Sequence, residues 1–208
     1  MLFVSNCADS EVTIVKKILI VFLILFCGCS KSLETESGYS RTYLFFKNFD
    51  VNKYYVSFYD RNVSSGDKTK INMAKLDDNY FYEIDGFENR IIIQKDGKRY
   101  TINKNLMNYF EEEGNFEDFS HGFVPNDIEF LKKTKYETGY QKVFNQKYIY
   151  EKYKLDEGES TYYFDGYDLV YVSYKSIFGS NLLKFISMKN DVDSSIFEIS
   201  QKYSEMSY

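Results

Sequence analysis

From Arg41 onward the chain is a succession of short runs rich in aromatic and β-branched residues, each cut off by Gly, Asn or Asp. This rhythm limits the possible folds more than any other feature. Such runs suit a pleated surface and the breakers between them suit tight turns, so the pattern predicts many antiparallel strands. Strands are expected at Thr42 to Phe49, Lys53 to Tyr59, Lys68 to Leu76 and Tyr80 to Asp85. A second group is expected at Tyr136 to Phe144, Lys147 to Leu155, Thr161 to Asp165, Leu169 to Tyr174 and Leu183 to Lys189. The sharpest local signal is Arg90 to Ile102, where Asp96-Gly97 separates two β-rich runs. Both residues tolerate positive φ, which a type I′ turn requires, so the flanking strands should pair as a hairpin. Two short helices should interrupt the strands. One would be capped by Asn103 or Asn105 and end at Gly114, with Leu106, Met107 and Phe110 on one face and Glu111, Glu112 and Glu113 at its unfavourable negative end. The other would start near Pro125-Asn126-Asp127, bury Ile128, Phe130 and Leu131, and end on Lys132-Lys133.

Ahead of this region lies Lys16 to Cys29, KKILIVFLILFCGC. Lys16 and Lys17, an apolar middle and a small residue before a cysteine have the three-part form of a bacterial export signal. The eleven residues from Ile18 to Gly28 would make a helix of roughly 16 Å, against a hydrocarbon core of about 30 Å, too short to span comfortably. The site around Gly28 and Cys29 resembles the lipobox of bacterial lipoproteins, in which the thiol is alkylated by diacylglycerol and the preceding peptide bond is cut. Phe26 and Cys27 depart from the usual Leu and Ala or Ser of that motif. The alternative is that Cys27 and Cys29 end an uncleaved anchor. Asp9 and Glu11 sit badly in the charged start of a leader, which is explained if translation begins at Val12 or Val15 and residues 1–14 are a mis-assigned start. The expected organisation is a leader over 1–28, a flexible tether over 29–40 and a single β-rich domain over 41–208.

All three cysteines, Cys7, Cys27 and Cys29, fall in the leader or at its cut, so the domain is expected to rely on a core supplied by 21 Tyr and 19 Phe. A net charge of −5, with neither sign gathered into a long block, argues against nucleic acid as a partner. Lys132, Lys133 and Lys135 read as a solvated face.

Little in the domain suggests catalysis or a metal or other cofactor. His121 is the only histidine and has no cysteine to pair with, which removes the common zinc sites; a Ser-His-Asp triad stays open without a nucleophile-elbow sequence behind it, and the plain reading is a loop residue. Glu111, Glu112, Glu113, Glu117 and Asp118 lack the alternating spacing of a calcium loop and read as surface. Neither GxGxxG nor GxxxxGK[ST] occurs. In Tyr54 to Tyr59 and Leu169 to Tyr174 both strand faces carry bulky groups. These fit either a core on one face with water-tolerant Tyr on the other, or a concave face lined for an apolar ligand.

The succession Asp96 to Ile102, Tyr148 to Tyr153, Tyr162-Tyr163-Phe164-Asp165 with Leu169, and Val192 followed by Phe197-Glu198-Ile199 resembles the LolA/LppX-like superfamily of exported lipoproteins and lipoprotein carriers. The likeness covers about Lys53 to Tyr203, with Ser200 standing where such proteins often have Pro. It implies a mainly β fold: a curved antiparallel sheet, an incomplete barrel, with the two short helices covering its open side and an apolar cavity that accepts acyl chains. The expectation is a non-catalytic lipoprotein, lipid-anchored through Cys29 on the extracytoplasmic face of the cell membrane, that binds a lipid or other apolar molecule. The alternative is a lipoprotein that meets another envelope protein in assembly or signalling.

Overall fold

A computed structural model describes residues 38–113, 128–155, 158–177 and 179–206. Lys16, Lys17, Gly28, Cys29 and His121 lie outside the described residues. The chain builds a helix α1 (Arg41–Lys47), then β1 (Lys53–Asn62), β2 (Lys68–Leu76), β3 (Asn79–Asp85), β4 (Arg90–Lys95), β5 (Lys98–Asn103) and β6 (Asn108–Glu113). After α2 (Ile128–Lys133) come β7 (Tyr136–Val143), β8 (Gln146–Leu155), β9 (Gly158–Asp165), β10 (Asp168–Ser176), β11 (Gly179–Lys189), a 3-10 turn at Ser194–Phe197 and the two-residue β12 (Ser204–Glu205).

The strands form one open sheet in the order β12-β6-β5-β4-β3-β2-β1-β11-β10-β9-β8-β7. Two antiparallel meanders, β1 to β6 and β7 to β11, are thus joined where β11 returns to pair with β1, and β12 adds to β6 in parallel. The Asp96-Gly97 hairpin forms as expected, with φ of 53° and 73° at its two central residues and Ile92 opposite Thr101.

Alternation along the strands divides the side chains between two faces. Tyr54, Val56 and Phe58 of β1 join Met73, Tyr82, Ile92, Tyr162, Phe164 and Val172 in a core closed by Tyr43, Phe46 and Leu131 from the helices. On the opposite face Phe81, Ile93 and Ile102 are covered by Phe197 and Tyr203 of the C-terminal segment, and Tyr148, Tyr163 and Tyr171 form a third cluster. Between these two clusters a polar chain crosses the sheet. The Ser57 hydroxyl donates to Asn72 Oδ1 at 2.7 Å, Asn72 Nδ2 to Glu83 at 2.7 Å, and Lys104 Nζ to Glu83 at 2.8 Å. Both faces of β1 are therefore occupied, one by aromatic core and the other by Tyr55 and this hydrogen-bonded chain.

Two expectations are corrected. The run expected as a strand over Thr42 to Phe49 is helical through Lys47. Its residues are good strand formers, but Ser40 caps the segment by accepting from Tyr43 N at 3.0 Å, and Thr42, Tyr43 and Phe46 turn one face into the core. A seven-residue helix gains little from propensity alone, so docking onto the sheet decides its conformation. The helix expected to follow Asn103 or Asn105 is instead a turn and then β6. Asn103 Oδ1 accepts from both Asn105 N and Leu106 N at 3.0 Å, closing a local turn rather than capping a helix. In the strand the carboxylates find cross-strand cations, Lys98 Nζ to Glu111 at 2.5 Å and Arg99 Nε to Glu112 at 3.9 Å, in place of a helix end that would repel them. The helix expected near Pro125 is described from Ile128 as α2 and ends on Lys132 and Lys133, but of the three residues expected inside, Leu131 is buried, Ile128 is partly buried and Phe130 is exposed.

Candidate functional site

Glu151, on β8, sets the position of α1. Its carboxylate is 1% exposed and accepts from Arg41 N at 2.7 Å, Thr42 N at 2.9 Å and the Thr42 hydroxyl at 2.8 Å. The Tyr153 hydroxyl donates to the same carboxylate at 3.4 Å, and burial together with the neighbouring Glu151 charge pushes the Tyr153 phenol up, which keeps it a donor. A carboxylate at the first amides of a helix satisfies donors that have no partner inside the helix and complements the positive end of its dipole.

With Thr42, Tyr43 and Phe46 committed to the core, Arg41, Leu44, Phe45 and Asn48 fall on the other side of α1 at i, i+3, i+4 and i+7 spacing. This stripe forms one wall of a pocket of about 420 Å³. Phe49, just past the helix, and Tyr167, in the turn between β9 and β10, extend the wall, and Met188, Lys189 and Asn190 at the end of β11 complete it.

A bulge explains why Met188 is available. Ser57 of β1 lies opposite Ser187 while Phe58 lies opposite Phe185, so Ile186 is left over and exposed. The extra residue shifts the alternation by one, and Phe185 and Met188 both pack against the helix-side core although their numbers differ by three. Asn190 then ties the strand end to the helix: its Nδ2 donates to Asn48 O at 2.9 Å and its Oδ1 accepts from Asp50 N at 3.1 Å. Phe45 lies nearly parallel to Phe49 at 6.3 Å, and the Arg41 guanidinium sits over the Tyr167 ring at 5.7 Å.

The pocket has an apolar lining of Leu44, Phe45, Phe49 and Met188, flanked by the cations Arg41 and Lys189 and the amides of Asn48 and Asn190. Its described lining brings guanidinium, ammonium, phenol and amide groups among the apolar ones, and no carboxylate, imidazole or thiol. Its volume lies toward the lower end of the range of about 300 to 1,000 Å³ usual for small-molecule sites. The space directly beneath α1 is packed, since Phe46, Phe58 and Tyr153 are each 0% exposed. The open volume lies beside the helix.

Of the other candidate residues, Glu117 and Asp118 lie outside the described residues. Glu111 to Glu113 are in β6, Lys132 pairs with Glu129 on α2 at 3.7 Å, and among the described residues no three His, Cys, Asp or Glu side chains come together to hold a metal ion. Among the described residues, too, no helix is long and apolar enough to cross a membrane. Sequence reasoning missed the pocket residues altogether. The usable signal was the spacing of Arg41, Leu44, Phe45 and Asn48, which marks a face only once the segment is read as helical.

No family model and no curated protein matches the chain. Among solved structures, an uncharacterized conserved protein from Thermus thermophilus is similar with a TM-score of 0.45 and 6% identity, over 80% of this chain and 94% of that one. PNGF-II is similar with a TM-score of 0.30 and 11% identity over 74% of this chain, which spans 31% of the PNGF-II chain.

Proposed function

We propose that the chain is a non-catalytic lipoprotein, anchored through an acylated Cys29 on the extracytoplasmic face of the cell membrane, that binds a lipid or other apolar molecule beside α1. In this reading the open sheet is curved into an incomplete barrel with helices over its open side, as the resemblance to LolA/LppX-like proteins implies, and α1 takes the place given to the helix expected after Asn103. The observation that carries the binding reading is the apolar pocket of about 420 Å³ walled by Leu44, Phe45, Phe49 and Met188. The same reading sets the pocket close to the membrane. Arg41 follows Cys29 by twelve residues, which span at most about 40 Å even when fully extended, so an anchored chain keeps the pocket near a bilayer.

Cys29→Ser tests the anchor. Two acyl chains hold far more strongly than one, at about 0.8 kcal/mol per buried methylene, so the variant should appear as unprocessed precursor or be released from membranes. A variant found cleaved and still membrane-bound contradicts the anchor. Extraction of the purified protein and mass spectrometry test the binding. A lipid should co-purify with the wild type and fall about tenfold, the equivalent of about 1.4 kcal/mol, in Phe45→Glu, which puts a carboxylate into the apolar lining. Equal recovery from a Phe45→Glu variant that unfolds like the wild type counts against the site.

The second reading, an envelope interaction module, is favoured by β7. This strand ends the sheet order, and Tyr140 and the following Phe144 are exposed beside it. Such an edge can accept an added strand from a partner. Crosslinking in cells that captures a protein at Tyr140 or Phe144, with no lipid recovered from the purified chain, would favour this reading.

A further inference from the structure

We infer that the pocket beside α1 selects an anionic amphiphile, a single acyl chain bearing a carboxylate or phosphate head, over a neutral one. The inference rests on the apolar-ligand reading above and adds to it the charge of the head. The whole chain carries 31 acidic against 26 basic residues, yet the described pocket lining brings two cations and no carboxylate. Local charge is thus opposite to the net charge, as expected where a site must attract an anion to an acidic protein. Lys189 is exposed at the strand end and makes no ion pair among the described residues, so its ammonium is available to a ligand. Across the apolar wall Arg41, its guanidinium over the Tyr167 ring at 5.7 Å, adds a second positive charge.

Asp50 beside Phe49 accepts from Asn52 N at 2.9 Å, Asp191 beside Asn190 pairs with Lys53 at 3.8 Å, and Glu151 at the start of α1 is turned away from the task. Its oxygens are taken up by the backbone amides of Arg41 and Thr42 and by the Thr42 hydroxyl. Asn48 and Asn190 are likewise engaged with backbone groups. The charge that meets a head group is therefore positive, and the groups that meet a chain are Leu44, Phe45 and Met188. A volume of about 420 Å³ suits one chain better than the paired chains of a membrane lipid.

The test uses the full chain in the membranes of cells that make it, labelled in parallel with photoactivatable palmitic acid and photoactivatable cetyl alcohol and mapped by mass spectrometry. The acid should label peptides containing Phe45 and Met188 about tenfold more than the alcohol. In Lys189→Gln the acid-to-alcohol ratio should fall about threefold, the usual scale of an exposed charge, and in Arg41→Gln with Lys189→Gln it should approach one. Lys189→Gln alone guards against a disturbed helix start, because Lys189 is exposed and outside α1. Unlabelled palmitate and unlabelled lysophosphatidic acid compete in separate arms. Displacement by either supports the anionic head, and the stronger competitor identifies it as carboxylate or phosphate. If acid and alcohol label the pocket equally and the charge variants change nothing, selection by charge is overturned while the apolar-ligand reading stands. If neither labels the pocket, both fall.

Discussion

Glu151→Ala is expected to lower the stability of the fold by about 3 to 5 kcal/mol, the scale of breaking a buried charged network from one side. The carboxylate is 1% exposed and holds two backbone amides and one hydroxyl at 2.7 to 2.9 Å. Hydrogen bonds to a charged group are worth about 1.5 to 3 kcal/mol each, and the truncation would leave the Arg41 and Thr42 donors facing a void. Glu151→Gln keeps the volume but brings an NH2 group against donors, so about half the loss should remain. Denaturant unfolding of both variants, with hydrogen exchange at residues 41–47, measures the effect. Exchange in α1 should rise in both variants, more in the alanine one. A loss under about 1 kcal/mol in Glu151→Ala would mean that α1 is held by its apolar face alone.

This contact also shows why α1 was not legible. The residues that define it are 109 and 110 positions apart, and nothing around Thr42 announces a carboxylate on β8. Locally, Thr42-Tyr43-Leu44-Phe45-Phe46 is a strong strand former, and Ser40 was the one cue to a helix start. By contrast, the Asp96-Gly97 hairpin was legible because its cause is local: two adjacent residues that tolerate positive φ fix the register of both strands. β6 was misread for the complementary reason. Leu106, Met107 and Phe110 have helical spacing, but Lys98 and Arg99, whose cations meet Glu111 and Glu112, reach them only through strand pairing.

The candidate site inherited the error on α1. A strand over Thr42 to Phe49 puts Leu44 and Phe45 on opposite faces, whereas the helix sets them side by side on the pocket wall. Met188 was hidden by a second nonlocal feature, the bulge at Ile186, which no alternation rule anticipates. The abundance of bulky groups on both faces of β1 was visible, and it reflects two packed faces more than a lined hollow.

Phe46→Ala should cost about 3 to 5 kcal/mol, the usual loss for a large aromatic removed from a packed core. Its ring is 0% exposed and meets Tyr162 at 5.9 Å and Phe49 at 6.1 Å, both edge to face. Combined with Glu151→Ala, the two losses should not add. Both act by releasing α1, so once the carboxylate is gone the helix should no longer bury Phe46 well, and the second substitution should cost at least about 1 kcal/mol less than it does alone. A double-mutant cycle by denaturant unfolding reads this coupling directly. Strict additivity would mean that Phe46 stays seated without the carboxylate, and that the helix face and helix start are separate supports. Coupling would mean that α1 docks as a unit. Any ligand gripping Leu44 and Phe45 would then stabilise the whole helix, and through it the sheet beneath.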